Sequence, residues 1–163
     1  MLPATAQKIL IVDDVPDTRL FISNMLSSHG YSPVFAETRT EGFRRAVAEN
    51  PSVIIIDMMI PNEGGIRFYR DLKRNPHLNR IPVIMLSTIA RKTFFKWHKT
   101  LGAEADLKRS GTDIYLGMPP EAEELLLAVK KLSDADFPKR QTAMPSVGSP
   151  SLNGKKKSDR TTP

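Results

Sequence analysis

Two short apolar runs that each stop at carboxylates constrain the fold of this chain more than any other feature. Residues 9–12 read Ile-Leu-Ile-Val and precede Asp13 and Asp14, and residues 53–56 read Val-Ile-Ile-Ile and precede Asp57. Continuous apolar runs of this length are typical of strands buried on both faces, as in a parallel sheet. Ligands of such sheets bind at the carboxyl ends of the strands, so we expect the three carboxylates to share one edge.

Three carboxylates at one edge predict a site for a divalent cation. Like charges held close together repel one another, and a bound cation relieves that repulsion. Carboxylate oxygens are hard ligands of the kind that Mg²⁺ prefers in proteins. We therefore expect Mg²⁺ to be bound by Asp13, Asp14 and Asp57.

The rest of the chain alternates predicted strands with predicted helices. Further strands are expected near residues 32–36, 83–86 and 114–116. This alternation predicts an α/β fold with a doubly wound, five-stranded parallel sheet of order 2-1-3-4-5, which is flavodoxin-like.

The first helix is expected to begin near Pro16, because proline suits the first helical turn, and to end before Gly30. Leu20, Phe21 and Met25 are predicted to form its buried side.

Composition excludes several other classes of protein. The chain has 163 residues and 40% hydrophobic residues, which is sufficient for one α/β core. It has no cysteine, which excludes a disulfide scaffold, a thiolate metal site and a cysteine nucleophile. No apolar stretch approaches the roughly 20 residues of a membrane span, and the first residues lack a signal-peptide core. We therefore expect a cytoplasmic protein.

The positive charge of the chain is concentrated near its carboxyl end. Residues 138–163 contain six basic residues and one acidic residue, Asp159, and so carry +5 of the formal net charge of +6. Residues 1–137 carry the remaining +1. This end is also rich in proline, serine and threonine and has no periodic apolar face, which is typical of disorder. We predict one domain over residues 1–134, with an extended region at 88–113, and a disordered basic tail over 135–163.

Four motifs occur in an order that supports one family. Paired acids follow the first strand, Asp57 begins an Asp-x-x-x-Pro-x-x-x-Gly motif, Ser87 closes the fourth strand, and Tyr115 lies in the fifth. Over roughly residues 7–132 the chain therefore resembles the receiver domain of bacterial two-component response regulators. It is similar to the stand-alone receivers that act as chemotaxis regulators.

The resemblance implies a role for each of these side chains. Asp57 would be the phosphoacceptor, which takes a phosphoryl group from a histidine kinase or a phosphotransfer protein. Asp14 would bind Mg²⁺ directly and Asp13 through water, with Asp57 and the backbone carbonyl of Met59 as further ligands.

Two more positions match residues that respond to the phosphoryl group in this family. Ser87 would donate its hydroxyl to a phosphoryl oxygen, and Tyr115 matches the aromatic residue whose ring moves with that hydroxyl.

One position departs from the family pattern. Receivers place a lysine directly before the first proline of the fifth motif, and this chain has Met118 there, with no lysine between Ser110 and Val129. Losing a charge-assisted hydrogen bond of about 1.5–3 kcal/mol should weaken the link between phosphorylation and conformational change. Three outcomes remain open: poor switching, a substitute cation such as Arg91 or Lys92, or signalling without phosphorylation.

A second departure is the length between Ser87 and Tyr115. Twenty-eight positions separate them, several more than the family usually has, and the segment combines basic with aromatic residues. This predicts a surface for a target protein within residues 91–131. Ordinary amphipathicity is the alternative, with Phe94, Trp97 and Leu101 packed inward.

We conclude from the sequence that this is a stand-alone receiver that signals through partner binding and catalyses only its own phosphorylation and dephosphorylation. The alternative is an interaction module that works without phosphorylation. A nucleic-acid adaptor that uses the basic tail is less favoured, because no DNA-reading motif is present. Neither nucleic acid nor a membrane is an expected partner.

Overall fold

The computed structural model describes residues 6–62, 64–97 and 113–142, with Phe95, Trp97 and residues 135–142 described by their backbone alone. Predictions for Leu101, for most of the extended region and for residues 143–163 lie outside the described residues. The elements alternate along the chain as β1 (Lys8–Val12), α1 (Pro16–Ser28), β2 (Ser32–Ala36), α2 (Arg39–Glu49), β3 (Val53–Asp57), α3 (Gly64–Arg74), β4 (Val83–Ser87), α4 (Arg91–Trp97), β5 (Ile114–Gly117) and α5 (Ala122–Thr142).

The five strands form one parallel sheet of order β2-β1-β3-β4-β5, which confirms the predicted fold class. Each predicted strand lies within two residues of its observed bounds. The apolar runs of β1, β3 and β4 are buried almost throughout, because helices cover both faces of the sheet.

Alternate side chains of each strand pack in two separate hydrophobic cores, one on each face of the sheet. Leu10 and Val12 of β1 point to the core that helices α2, α3 and α4 cover, whereas Ile9 and Ile11 point to the core that α1 and α5 cover. The period of two along each strand therefore assigns every helix to one face of the sheet. We call these the α2–α4 face and the α1/α5 face.

Helix α1 begins at Pro16 as expected, but the prediction of its buried side was wrong for Leu20 and Phe21. Ile22 and Leu26 are buried, whereas Leu20 and Phe21 are 60% and 46% exposed. Met25 is half-buried and packs against the core. Apolar residues lie around more than half of this helix, so its phase is decided by the sheet it meets and not by its own pattern.

The last helix ends later than the sequence indicated. We predicted the domain boundary at residue 134, and α5 continues to Thr142, through Pro138. An internal proline removes one backbone donor and its ring crowds the carbonyl of residue i−4, which favours an earlier helix end by about 3 kcal/mol. Among the described residues, no helix is long and apolar enough to cross a membrane.

Candidate functional site

Strand ends bring the three predicted carboxylates together. Val12 pairs with Ile56 across β1 and β3, so the residues that follow each strand emerge side by side. Carboxylate oxygens of Asp13, Asp14 and Asp57 all lie within 4.8 Å of one another. Asp13 and Asp57 are buried and Asp14 is exposed, which leaves the cluster open to solvent on one side.

Local turns orient the two buried carboxylates. The backbone N–H of Val15 donates to Asp13 Oδ1 at 2.8 Å, and the N–H of Met59 donates to Asp57 Oδ1 at 2.8 Å. Among the described residues, Asp13 Oδ2 is buried and has no hydrogen-bond partner. A buried carboxylate oxygen without a donor is costly unless a cation or water meets it, so the cluster fits Mg²⁺.

The electrostatics of the cluster agree with this assignment. Burial, together with the negative charges of Asp57 and Asp14, raises the pKa of Asp13 to about 6. Burial and the charge of Asp14 also raise the pKa of Asp57. Both shifts show that the folded chain disfavours these negative charges, and a divalent cation would reverse that preference.

Glycine allows helix α3 to begin close to Asp57. A Cβ on Gly65 would lie 2.5 Å from the backbone oxygen of Asp57 and from Cα of Met58. Real Cβ atoms do not approach backbone atoms so closely, so only glycine permits this packing. Gly65 is the last residue of the Asp-x-x-x-Pro-x-x-x-Gly motif, and this close packing is the physical reason for a glycine at that position.

Arg19 is a contributor to the site that the sequence did not indicate. Its Nη1 donates to the backbone oxygen of Asp13 at 2.8 Å, and its Nη2 contacts Glu37 Oε1 at 2.9 Å. It therefore braces the loop that carries Asp13 from helix α1. A single arginine in a helix has no sequence signal that would have distinguished it.

Ser87 lies at the same edge as Asp57, at the end of the neighbouring strand. Asp57 pairs with Leu86 in the register of β3 and β4, so Ser87 is the next residue beyond that pair. Its buried hydroxyl donates to Met59 Sδ at 3.4 Å and accepts from the N–H of Ile89 at 3.1 Å. A thioether is a weak acceptor, so this hydroxyl can change partner at low cost.

Tyr115 is connected to the segment that follows Ser87. Its hydroxyl donates to the backbone oxygen of Ile89 at 2.8 Å, and its ring lies 6.0 Å from that of Phe94 at an angle of 51°. Burial raises the pKa of Tyr115, and the nearby Ser87 hydroxyl offsets part of this effect. Phe94 is buried, as the amphipathic alternative for this segment predicted.

The Met118 side chain carries no charge, so it cannot replace the cation that a lysine would supply at this position. Its half-buried side chain packs against the core of the α1/α5 face, and its backbone N–H donates to the oxygen of Ser87 at 2.9 Å. The proposed substitutes Arg91 and Lys92 are solvent-exposed on α4. The metal role of the Met59 carbonyl stays a prediction.

A cavity of about 480 Å³ opens beside Asp14, a feature without a sequence signal. It lies between the loops that precede α2 and α3. Acidic, basic, hydroxyl and amide side chains line the cavity. They are Asp14, Glu37, Thr38, Arg39, Thr40, Asn62 and Arg67.

Comparisons with known proteins agree with this geometry. The family described as the response regulator receiver domain matches residues 9–109. The protein PilH of Pseudomonas aeruginosa is 32% identical over 122 residues, which are 75% of this chain and 93% of PilH. The phosphate regulon transcriptional regulatory protein PhoB of Escherichia coli is 32% identical over 128 residues, and this chain spans 51% of its length.

Solved structures give the same fold. Chemotaxis response regulator CheY4 of Vibrio cholerae superposes with a TM-score of 0.65 at 26% identity, covering 78% of this chain and 99% of that one. The receiver domain of Francisella response regulator 1452 superposes with a TM-score of 0.65 at 28% identity, covering 79% and 98%.

Proposed function

Because this chain belongs to the response regulator receiver domain family, we propose that it accepts a phosphoryl group on Asp57 from a histidine kinase or phosphotransfer protein. It then signals by binding a target protein through the region from residue 91 to residue 131. The observation that carries the proposal is the convergence of Asp13, Asp14 and Asp57 within 4.8 Å at the end of β3.

The geometry around Asp57 favours one of its oxygens as the nucleophile. Oδ1 accepts the N–H of Met59, which leaves Oδ2 to attack phosphorus as the bond from phosphorus to the donor's imidazole nitrogen breaks. Phosphoryl transfer depends chiefly on in-line positioning and charge neutralisation. Bound Mg²⁺ would supply that neutralisation, with Asp13 and Asp14 holding it beside Asp57.

Ser87 would respond to the transferred group by changing its acceptor. A phosphoryl oxygen is charged and accepts far better than the sulfur of Met59, which the hydroxyl contacts before transfer. The N–H of Ile89 bonds to the same hydroxyl oxygen, so the segment after β4 would follow the move. With Met118 on the opposite face, no cation at that position adds to this pull.

A second candidate function is binding of a target without phosphorylation. Ile89 is already fixed through both of its backbone groups, by Ser87 at its N–H and by Tyr115 at its carbonyl. Phe94 of α4 packs against the Tyr115 ring, so side chains of the protein alone hold α4 against β5. This arrangement favours a target surface that is present in the unphosphorylated chain.

Incubation with acetyl phosphate and Mg²⁺, followed by intact-mass measurement, tests the first candidate. We expect one phosphoryl adduct that depends on Mg²⁺ and is abolished by Asp57→Ala. Asp17→Ala is the matched control, because Asp17 is an exposed acid in the first turn of α1. If no adduct forms with acetyl phosphate, phosphoramidate or a phosphorylated histidine kinase, the second candidate replaces the first.

A further inference from the structure

The α2–α4 face carries a large excess of positive charge. Its three helices present nine basic and three acidic side chains at the surface, a net of +6. Lys73 of α3 is left out of this count because it forms a buried ion pair with Asp113. The basic residues are Arg39, Arg44, Arg45, Arg67, Arg70, Arg74, Arg91, Lys92 and Lys96, and the acidic ones are Glu41, Glu49 and Asp71.

The three acids on this face are each paired with a cation. Asp71 pairs with Arg39, Glu41 lies 4.0 Å from Arg45, and Glu49 pairs with Lys8 at 2.7 Å and lies 4.0 Å from Arg45. Among the described residues no ion pair involves Arg44, Arg70, Arg74, Arg91, Lys92 or Lys96. The acids therefore offset Arg39 and Arg45 of α2, whereas Arg70 and Arg74 of α3 and the cations of α4 have no acidic partner among the described residues.

The arginines of α3 form a regular row. Arg67, Arg70 and Arg74 are spaced by three and four residues, which places them along one side of the helix. At 1.5 Å per residue the row is about 10 Å long, which corresponds to about three phosphate intervals of one strand at 3.4 Å each. The planar guanidinium group binds phosphate through two hydrogen bonds, and arginine outnumbers lysine on this face.

The same face has little to offer an apolar partner. Among the described side chains of its three helices, Val47 of α2 is the one exposed large hydrophobic, and α3 and α4 have none. Interfaces between proteins usually have an apolar or aromatic centre, whereas nucleic-acid interfaces are polar and positively charged. The composition of α3 therefore favours a phosphate backbone over the surface of another protein.

We propose that the α2–α4 face binds the phosphate backbone of nucleic acid without reading its sequence. Arg70 and Arg74 are at the centre of the contact, with Arg67 at one end and the cations of α4 alongside. Sequence alone disfavours such a ligand, because residues 1–137 have a net charge of only +1. The fold changes this expectation by collecting the basic residues on one side of the sheet.

Fluorescence anisotropy of the full chain with a labelled random duplex of about 24 base pairs tests the proposal. The informative variant replaces Arg67, Arg70 and Arg74 with glutamine. We expect its slope of log K against log salt to be smaller by about 2.7, or 0.9 for each lost phosphate contact, and its affinity in low salt to fall on the order of 10²-fold. Circular dichroism and urea unfolding of each variant establish that it is folded.

Two control variants separate this face from other sources of positive charge. Replacing Lys155, Lys156 and Lys157 with glutamine removes an equal charge from the tail, and replacing Lys130 and Lys131 removes charge from α5. Each should change the salt slope less than the α3 variant does. The proposal is overturned if the α3 variant binds like the parent, if the duplex does not bind in low salt, or if poly-L-glutamate binds more tightly than DNA. The last result would assign the face to an acidic protein.

Discussion

Buried carboxylates lie at opposite ends of the strands of this sheet, in opposite electrostatic surroundings. At the carboxyl edge, Asp13 and Asp57 are crowded by a third acid, and one oxygen of Asp13 lacks a donor among the described residues. At the other edge, Asp113 accepts from the Tyr69 hydroxyl at 2.7 Å and from Lys73 Nζ at 3.1 Å.

The second cluster is fully compensated. The backbone N–H of Val83 also donates to Asp113 at 2.9 Å, and Lys73 Nζ lies 5.5 Å from the centre of the Tyr69 ring. A buried charge with a counter-ion and several donors is costly to break by removing one partner, whereas a buried charge among like charges favours a bound cation. The comparison indicates that burial of a carboxylate does not by itself identify a binding site. A buried carboxylate that lacks a counter-ion or donor does.

The largest effect should follow from breaking the compensated cluster. Asp113→Ala leaves Lys73 buried without its counter-ion, and removal of one partner of a buried pair typically costs about 3–5 kcal/mol. We expect the free energy of unfolding in urea to fall by that amount. The Lys73→Met, Asp113→Ala double variant should recover part of the loss, because it removes the uncompensated charge. A loss below about 1 kcal/mol in the single variant would show that the pair is not a stabilising contact.

Next in size is a change that adds a hydrogen-bonding group to the uncompensated cluster. Met59 is 42% exposed at the mouth of the site, and neither it nor Ile89 can orient a water for attack on an aspartyl phosphate. The phosphorylated chain should therefore decay slowly. Met59→Asn should speed the decay by about 10²-fold, at the lower end of the usual range for water positioning.

Loss of radiolabel from the phosphorylated chain in Mg²⁺ buffer measures this decay. Met25→Asn is a suitable control, because Met25 packs against the core of the α1/α5 face, away from the acids. Decay of the parent within seconds would contradict the expectation.

A smaller effect should follow from removing one of the crowded charges. The pKa of Asp13 is raised from 3.8 to about 6, so its ionisation destabilises the folded state progressively between these two pH values and fully above pH 6. In EDTA near pH 7.5, Asp13→Asn should be more stable than the parent by about 1 kcal/mol. The difference should shrink as the pH falls through 6. Urea unfolding at several pH values checks this, and a difference that does not depend on pH would exclude the electrostatic cause.

The smallest change is the one that tests the switch. Met118→Lys supplies a cation where the family usually has one, and it should enlarge the spectral response of residues 87–97 to beryllofluoride. Amide NMR shifts of these residues in both proteins measure the response. Equal responses would mean that another group already performs this role in the parent.

Much of the fold and of the site was predictable because the signals are local. The strands are short apolar runs, the helices begin and end at proline, glycine and asparagine, and the three acids follow directly from the ends of β1 and β3. In a parallel sheet those ends must meet, so the cluster follows from strand assignment alone. Met118 was also recognisable, since its place before a proline is a matter of order along the chain.

Other features required the tertiary structure, because they join residues that are distant in sequence. Asp113 and Lys73 are 40 positions apart, and nothing near either residue indicates the other. The buried phase of α1 depended on the sheet, which left Leu20 exposed and buried Leu26. The charge of the α2–α4 face was hidden in the sequence, where acids and bases alternate and nearly cancel. Sequence determines which charges a chain has, but only packing against the two faces of a sheet decides which of them lie together.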